Sequence, residues 1–204
     1  MRWCKKLVDT IPYRLIEQTA KSDTLVIMFP GAGYTTQAPL LHFTTGVFYK
    51  KGFDILHVNY RFSSQELAAL SEEDFAKNVK TVIDHILQDK HYDHFYLVGK
   101  SIGTIALTTT LKSSLFAKAK VIWLTPLLQR DDVFQTMQTS KNEGLCIIGD
   151  HDRCFIEERM KKVEMNSDLK TKIIEGADHS LELNQNPLES ITILKEIISE
   201  IDSF

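Results

Sequence analysis

Six short apolar runs punctuate the chain: Leu25–Phe29, Ile55–Tyr60, Phe95–Val98, Val121–Leu124, Leu145–Ile148 and Lys172–Ile174. Most end at or near glycine or proline, at Pro30-Gly31, Gly99, Pro126, Gly149 and Gly176. Near-continuous apolar runs of this length suit strands buried on both faces of a parallel sheet. Helical patterns lie between them. Phe75, Val79, Ile83, Ile86 and Leu87 recur at helical spacing, with Ser71 and Asp74 marking an N-terminal cap. Ile191, Leu194, Ile197, Ile198 and Ile201 form a second stripe, with Asn186, Pro187 and Glu189 at cap, first and third positions. Strand alternating with helix predicts right-handed crossovers and an α/β fold with a doubly wound, mostly parallel sheet. The segment before Leu25, including Tyr13–Gln18, is expected to add one or two strands, antiparallel to the rest. In such a sheet ligands bind at the carboxyl ends of the strands.

Length and composition narrow this picture. A chain of 204 residues holds one good core and not two, so residues 1–204 are expected to form a single domain. The net charge is −3, and the lysines are scattered. No basic excess exists to attract nucleic acid or an anionic membrane. The cysteines are Cys4, Cys146 and Cys154, a count and spacing that suit neither a disulfide framework nor a zinc site. Cys146 reads as a buried hydrophobe and Cys154 as a bystander thiol. Residues Met1 to Thr10 lack the apolar segment of a signal peptide, and no run approaches the length of a membrane span. A cytoplasmic protein without membrane insertion is the expectation; the oligomeric state is open.

The chemistry concentrates at the ends of the predicted strands. Gly99-Lys100-Ser101-Ile102-Gly103 matches G-x-S-x-G, directly after Phe95–Val98 and before Thr104–Leu111, which can run as a helix. A serine held on a sharp strand-to-helix turn needs small residues two positions either side, where a side chain would collide with the turn. Lys100 reads as solvent-facing on that turn. A serine nucleophile needs a base, and the base an orienting acid. His179, in Gly176-Ala177-Asp178-His179, follows the last predicted strand, at the edge where a base can reach the elbow. His151 reads as surface, and His42, His57, His85, His91 and His94 as packing or surface. Asp150 and Asp152 both follow the strand Leu145–Ile148 at the same edge. Pro30-Gly31-Ala32-Gly33-Tyr34 follows Leu25–Phe29 and offers backbone N–H groups that a substrate oxygen can approach closely.

Together these segments resemble the α/β-hydrolase superfamily, over nearly the whole chain from about Thr24. Gly99–Gly103 resembles its nucleophile elbow. Pro30-Gly31-Ala32-Gly33 resembles its HG-x loop, with Pro30 where histidine is usual. Gly149-Asp150-His151-Asp152 resembles its G-x-x-D acid loop, and Gly176–His179 its G-x-x-H base loop. The resemblance implies Ser101 as nucleophile, His179 as base and Asp152 as orienting acid, with Phe155 packing the acid loop. It implies an oxyanion hole from the N–H groups of Ile102 and Ala32, with Gly33 as the alternative to Ala32. The short Leu127–Gly144 connection, where a lid is usually inserted, resembles the cap-less, dienelactone-hydrolase-like members. The implied activity is cleavage of an acyl bond in a small molecule, a carboxylic ester or thioester, through an acyl-enzyme and without metal or organic cofactor. The alternative is a non-catalytic hydrolase-fold binding or scaffold protein; the presence of all three triad residue types in family order weighs against it.

Overall fold

The computed structural model describes residues 5–8, 11–60, 65 and 71–204; Cys4 and much of the N-terminal segment lie outside them. Eight strands form one sheet: β1 (Lys5–Val8), β2 (Ile11–Ile16), β3 (Thr24–Phe29), β4 (Asp54–Val58), β5 (His94–Lys100), β6 (Lys120–Leu124), β7 (Gly144–Gly149) and β8 (Leu169–Ile174). Their spatial order is β1-β2-β4-β3-β5-β6-β7-β8. The strands from β4 to β8 pair in parallel, while β1 and β2 form an antiparallel edge, with β2 antiparallel to β4. All six predicted runs are strands, and the segment before Leu25 supplies both antiparallel ones.

Every residue of β3 is buried, and its side chains alternate between two cores. Leu25, Ile27 and Phe29 face one core, Val26 and Met28 the other. The first core is closed by α2 (Glu72–Asp89), α3 (Gly103–Thr110), α4 (Asp131–Thr139) and α5 (Glu157–Val163). The second is closed by α1 (Pro39–Lys50) and α6 (Pro187–Ser203). A sheet covered on both faces explains why the strands read as continuous apolar runs.

The predicted caps form. Ser71 Oγ accepts from the Asp74 N–H at 3.1 Å, and Asn186 Oδ1 accepts from the Glu189 N–H at 3.2 Å, with Pro187 opening α6. Between β6 and β7 the chain carries α4 alone, with no inserted lid. No helix among the described residues is long and apolar enough to cross a membrane.

Candidate active site

Four loops meet at the carboxyl edge of the central strands. The first is the turn after β5. Ser101 sits there with φ 54°, the left-handed conformation that non-glycine residues adopt only under strain. Its N–H donates to Leu124 O at 3.0 Å, and its carbonyl accepts from Thr104 N–H and Oγ1 at 2.9 and 2.6 Å. The flanking glycines are required sterically. A Cβ on Gly103 would lie 2.1 Å from Phe29 O, and one on Gly99 would lie 2.7 Å from Gly103 O.

The acid and base loops follow β7 and β8. Asp150 accepts from the Gly176 N–H through Oδ1 at 2.6 Å, which ties one loop to the other. Gly149 lets them touch, since a Cβ there would lie 1.9 Å from Ala177 O. Asp178 closes the base loop on itself by accepting from the Ser180 and Glu182 N–H groups at 2.7 and 3.2 Å. This leaves Asp152 to point inward. Its carboxylate is fully buried and accepts from the Cys154 N–H at 2.8 Å. His179 Nδ1 lies 2.8 Å from both Asp152 oxygens, and Nε2 lies 2.8 Å from Ser101 Oγ. Ser101, His179 and Asp152, contributed by three separate loops, thus form one unbroken hydrogen-bonded chain.

The electrostatics follow from these contacts. Burial works to raise the Asp152 carboxyl. The hydrogen bonds from His179 and the Cys154 N–H outweigh it and hold the group below the usual carboxylate range. The same bond to Asp152, with Cys154 beside the ring, raises His179 from its ordinary value to about 9, against the opposing effects of burial and of Lys100.

The fourth loop follows β3. A Cβ on Gly31 would lie 3.5 Å from Ser101 Cβ, so this loop passes directly over the nucleophile. Ala32 and Gly33 are exposed beyond it, and neither the Ala32 nor the Ile102 N–H donates to another described residue. Two clefts flank the loop. One, of about 400 Å³, is walled by Tyr34, Leu40, Leu181, Leu183, Ile191 and Leu194. The other, of about 320 Å³, includes Gly31, Ala32, Thr36, Asn59 and Tyr60.

A comparison with sequence families decides what this frame is. The profile of the α/β-hydrolase domain matches residues 22–204. The chain belongs to the α/β-hydrolase family. Comparison with curated proteins gives no match. Solved structures share the α/β-hydrolase fold at low identity. Est1E from Butyrivibrio proteoclasticus superposes with TM-score 0.69 at 12% identity, covering 98% of each chain. The Pyrococcus furiosus esterase Pf2001 gives 0.72 at 13%, covering 99% of this chain and 90% of its own. XC6422 from Xanthomonas campestris, described as a serine hydrolase without lid, gives 0.70 at 12%, covering 95% and 87%.

Two readings of this α/β-hydrolase chain change with the structure. Lys100 is not solvent-facing: it is 1% exposed. On β5, Phe95 and Leu97 face the first core, while Tyr96 and Val98 face the second. The two-residue alternation carries Lys100 inward on the Tyr96–Val98 side, a signal present in the sequence once the strand extends past Val98. Cys154 is likewise not a bystander, because it is buried beside Asp152 and His179. Among the described residues, Asp152, Cys154 and His179 have donor atoms within 4.8 Å of one another, the spacing from which a metal site is built. Both imidazole nitrogens are already engaged, by Asp152 and by Ser101, which suits a proton relay instead. Cys146 is a buried hydrophobe as expected, and His151 is exposed.

Proposed function

We propose that the protein is a serine hydrolase that cleaves an acyl bond, a carboxylic ester or thioester of a small molecule, through an acyl-enzyme on Ser101. The observation that carries this reading is the hydrogen-bonded sequence Ser101–His179–Asp152 at the carboxyl edge of the sheet, under the loop that carries Gly31. In the first half-reaction Ser101 Oγ attacks the substrate carbonyl and its proton passes to His179 Nε2. Asp152 holds Nδ1–H, fixes the tautomer and stabilises the imidazolium. The carbonyl oxygen takes up negative charge, met by the N–H groups of Ile102 and Ala32 and by the positive end of α3. When the tetrahedral intermediate collapses, the bond to the leaving oxygen or sulfur breaks and His179 returns the proton to it. Water then attacks the acyl-enzyme by the same route and frees Ser101. The clefts on either side of the oxyanion loop leave room for the groups flanking the scissile bond. The Pyrococcus furiosus esterase among the structural neighbours is in keeping with the ester class.

The test is labelling of the purified protein with a fluorophosphonate, alongside hydrolysis of p-nitrophenyl acetate. The native protein should label at Ser101 and turn over. Ser101→Ala should do neither while keeping its fold, with turnover reduced on the order of 10⁶-fold. A native protein that leaves both reagents untouched would favour a binding or scaffold role.

A further inference from the structure

A lysine inside a protein is rare, because its charge loses its hydration there. Lys100 is 1% exposed, and burial pushes its ammonium down to about 8. A group held at that cost needs an account of what it does. Nζ donates to Thr125 Oγ1 at 2.9 Å and to the backbone carbonyl of His179 at 2.7 Å. The ring of Tyr34 covers it, with the centroid 4.6 Å away. One cation therefore ties several segments together: it ends the strand that leads into Ser101 and reaches the end of β6 through Thr125. It reaches the base loop through His179 and the oxyanion loop through Tyr34.

We propose that Lys100 is a positioning residue for His179: its buried ammonium clamps the His179 carbonyl to the strand that carries Ser101 and holds a positive charge beside the Asp152–His179 pair. The proposal rests on the triad reading above. Two other roles conflict with the geometry. Lys100 does not replace His179 as base, since the Ser101 hydroxyl meets His179 Nε2, and Lys100 Nζ is directed to Thr125 Oγ1 and His179 O. It does not bind an acidic substrate directly, because Tyr34 and its own burial separate it from the clefts.

The charge has a consequence of definite sign. Asp152 raises the imidazole's basicity, through its hydrogen bond and its charge; the Cys154 contact adds to this, and Lys100 opposes it. The groups facing Lys100 are Asp152, Asp178, Glu182 and Cys154, which favour its charged form, and Tyr34. A base must be neutral to take the serine proton. Below about pH 8, where Lys100 is charged, it disfavours the imidazolium and so widens the pH range in which His179 is ready; removing the cation raises the protonated fraction of His179 there and moves its titration to higher pH.

The experiment uses Lys100→Met, close to lysine in length and without its charge. His179 is titrated by NMR of its ring protons, and kcat, KM and their pH profile are measured on p-nitrophenyl acetate. The expected result is a His179 titration and an acid limb of kcat/KM both shifted to higher pH. The kcat should fall on the order of 10²-fold, as for a slightly misplaced catalytic group. KM should stay near the native value, because Lys100 touches no substrate. If Lys100→Met does not fold, the same measurements are made on Lys100→Gln, which keeps an N–H donor; its titration should also rise. An unmoved His179 titration in a folded variant overturns the proposal and leaves Lys100 a structural tie. The NMR readout needs no turnover, so a coupled titration in a protein that fluorophosphonate fails to label would refute the hydrolase reading alone. Normal labelling with an unmoved titration would refute the Lys100 role alone.

Discussion

Asp150 and Asp152 stand two residues apart on one loop and have separable tasks. Asp150 braces the loop, accepting from the Gly176 N–H at the neighbouring turn, whereas Asp152 meets the imidazole with both oxygens. Asp152→Asn keeps the shape but presents an amide where a carboxylate is needed, so the wrong tautomer is favoured and imidazolium loses its counter-charge. We expect kcat to fall on the order of 10⁴-fold at Asp152→Asn, as when the orienting carboxylate of a serine-protease triad is replaced by an amide. Asp150→Asn retains an acceptor for Gly176 and should cost much less. Steady-state kinetics of the two variants, with circular dichroism to verify folding, makes the comparison. The larger loss at position 150 would reverse the assignment. At this scale much was legible in the sequence. The resemblance to the family's G-x-x-D and G-x-x-H loops separates Asp152 from Asp150 and His179 from His151. The inward turn of Lys100 runs against local expectation: a charged residue in a turn motif reads as surface, but Lys100 continues the Tyr96–Val98 face of β5 into the core.

The elements were legible wherever one periodicity dominated. The β strands buried on both faces read as apolar runs, and the capped helices α2 and α6 announced their first turns through Ser71 and Asn186. Two helices gave no such signal. α1 begins after Ala38, which supplies no side-chain cap, and its buried face mixes Leu40, Leu41 and Phe48 with Thr44 while Phe43 is exposed. α5 has 7 residues and buries Met160 and Val163, too short a stripe to register as periodic. Loops joining elements depend on glycines in a way that is testable. Gly149→Ala would push a Cβ to 1.9 Å from the Ala177 carbonyl and separate the acid loop from the base loop. We expect a loss of at least about 1–3 kcal/mol in stability, typical of overpacking, together with reduced turnover. In Gly46→Ala, at a position in α1 where an added Cβ meets nothing within 4 Å, helix propensity should instead raise stability by about 0.5–1 kcal/mol. Chemical denaturation of both variants checks the contrast; equal effects would mean that the close approach at Gly149 is not what holds the two loops together.

The molecule as a whole presents its triad under no inserted domain, since α4 is the sole helix between β6 and β7. The apolar cleft beside the base loop measures about 400 Å³ and lies open, with no lid to enclose a long chain. Short acyl esters should therefore be the better substrates. A p-nitrophenyl ester series from acetate to palmitate should show kcat/KM falling with chain length and no jump in rate above the substrate's critical micelle concentration. A preference for aggregated long-chain ester would contradict the open site. By itself the sequence determined the doubly wound fold and the order of the four loops at the carboxyl edge, and it singled out Ser101, Asp152 and His179, which the structure brings into contact. Those follow from local quantities: hydrophobic period, turn glycines and spacing from a strand end. Only the tertiary structure decided that β1 and β2 close the antiparallel edge and that Gly31 lies over Ser101. It also decided that Lys100 and Cys154 are buried against the relay. These depend on which distant segments the sheet order brings together: His179 O is 79 residues from Lys100, and no local pattern encodes that meeting.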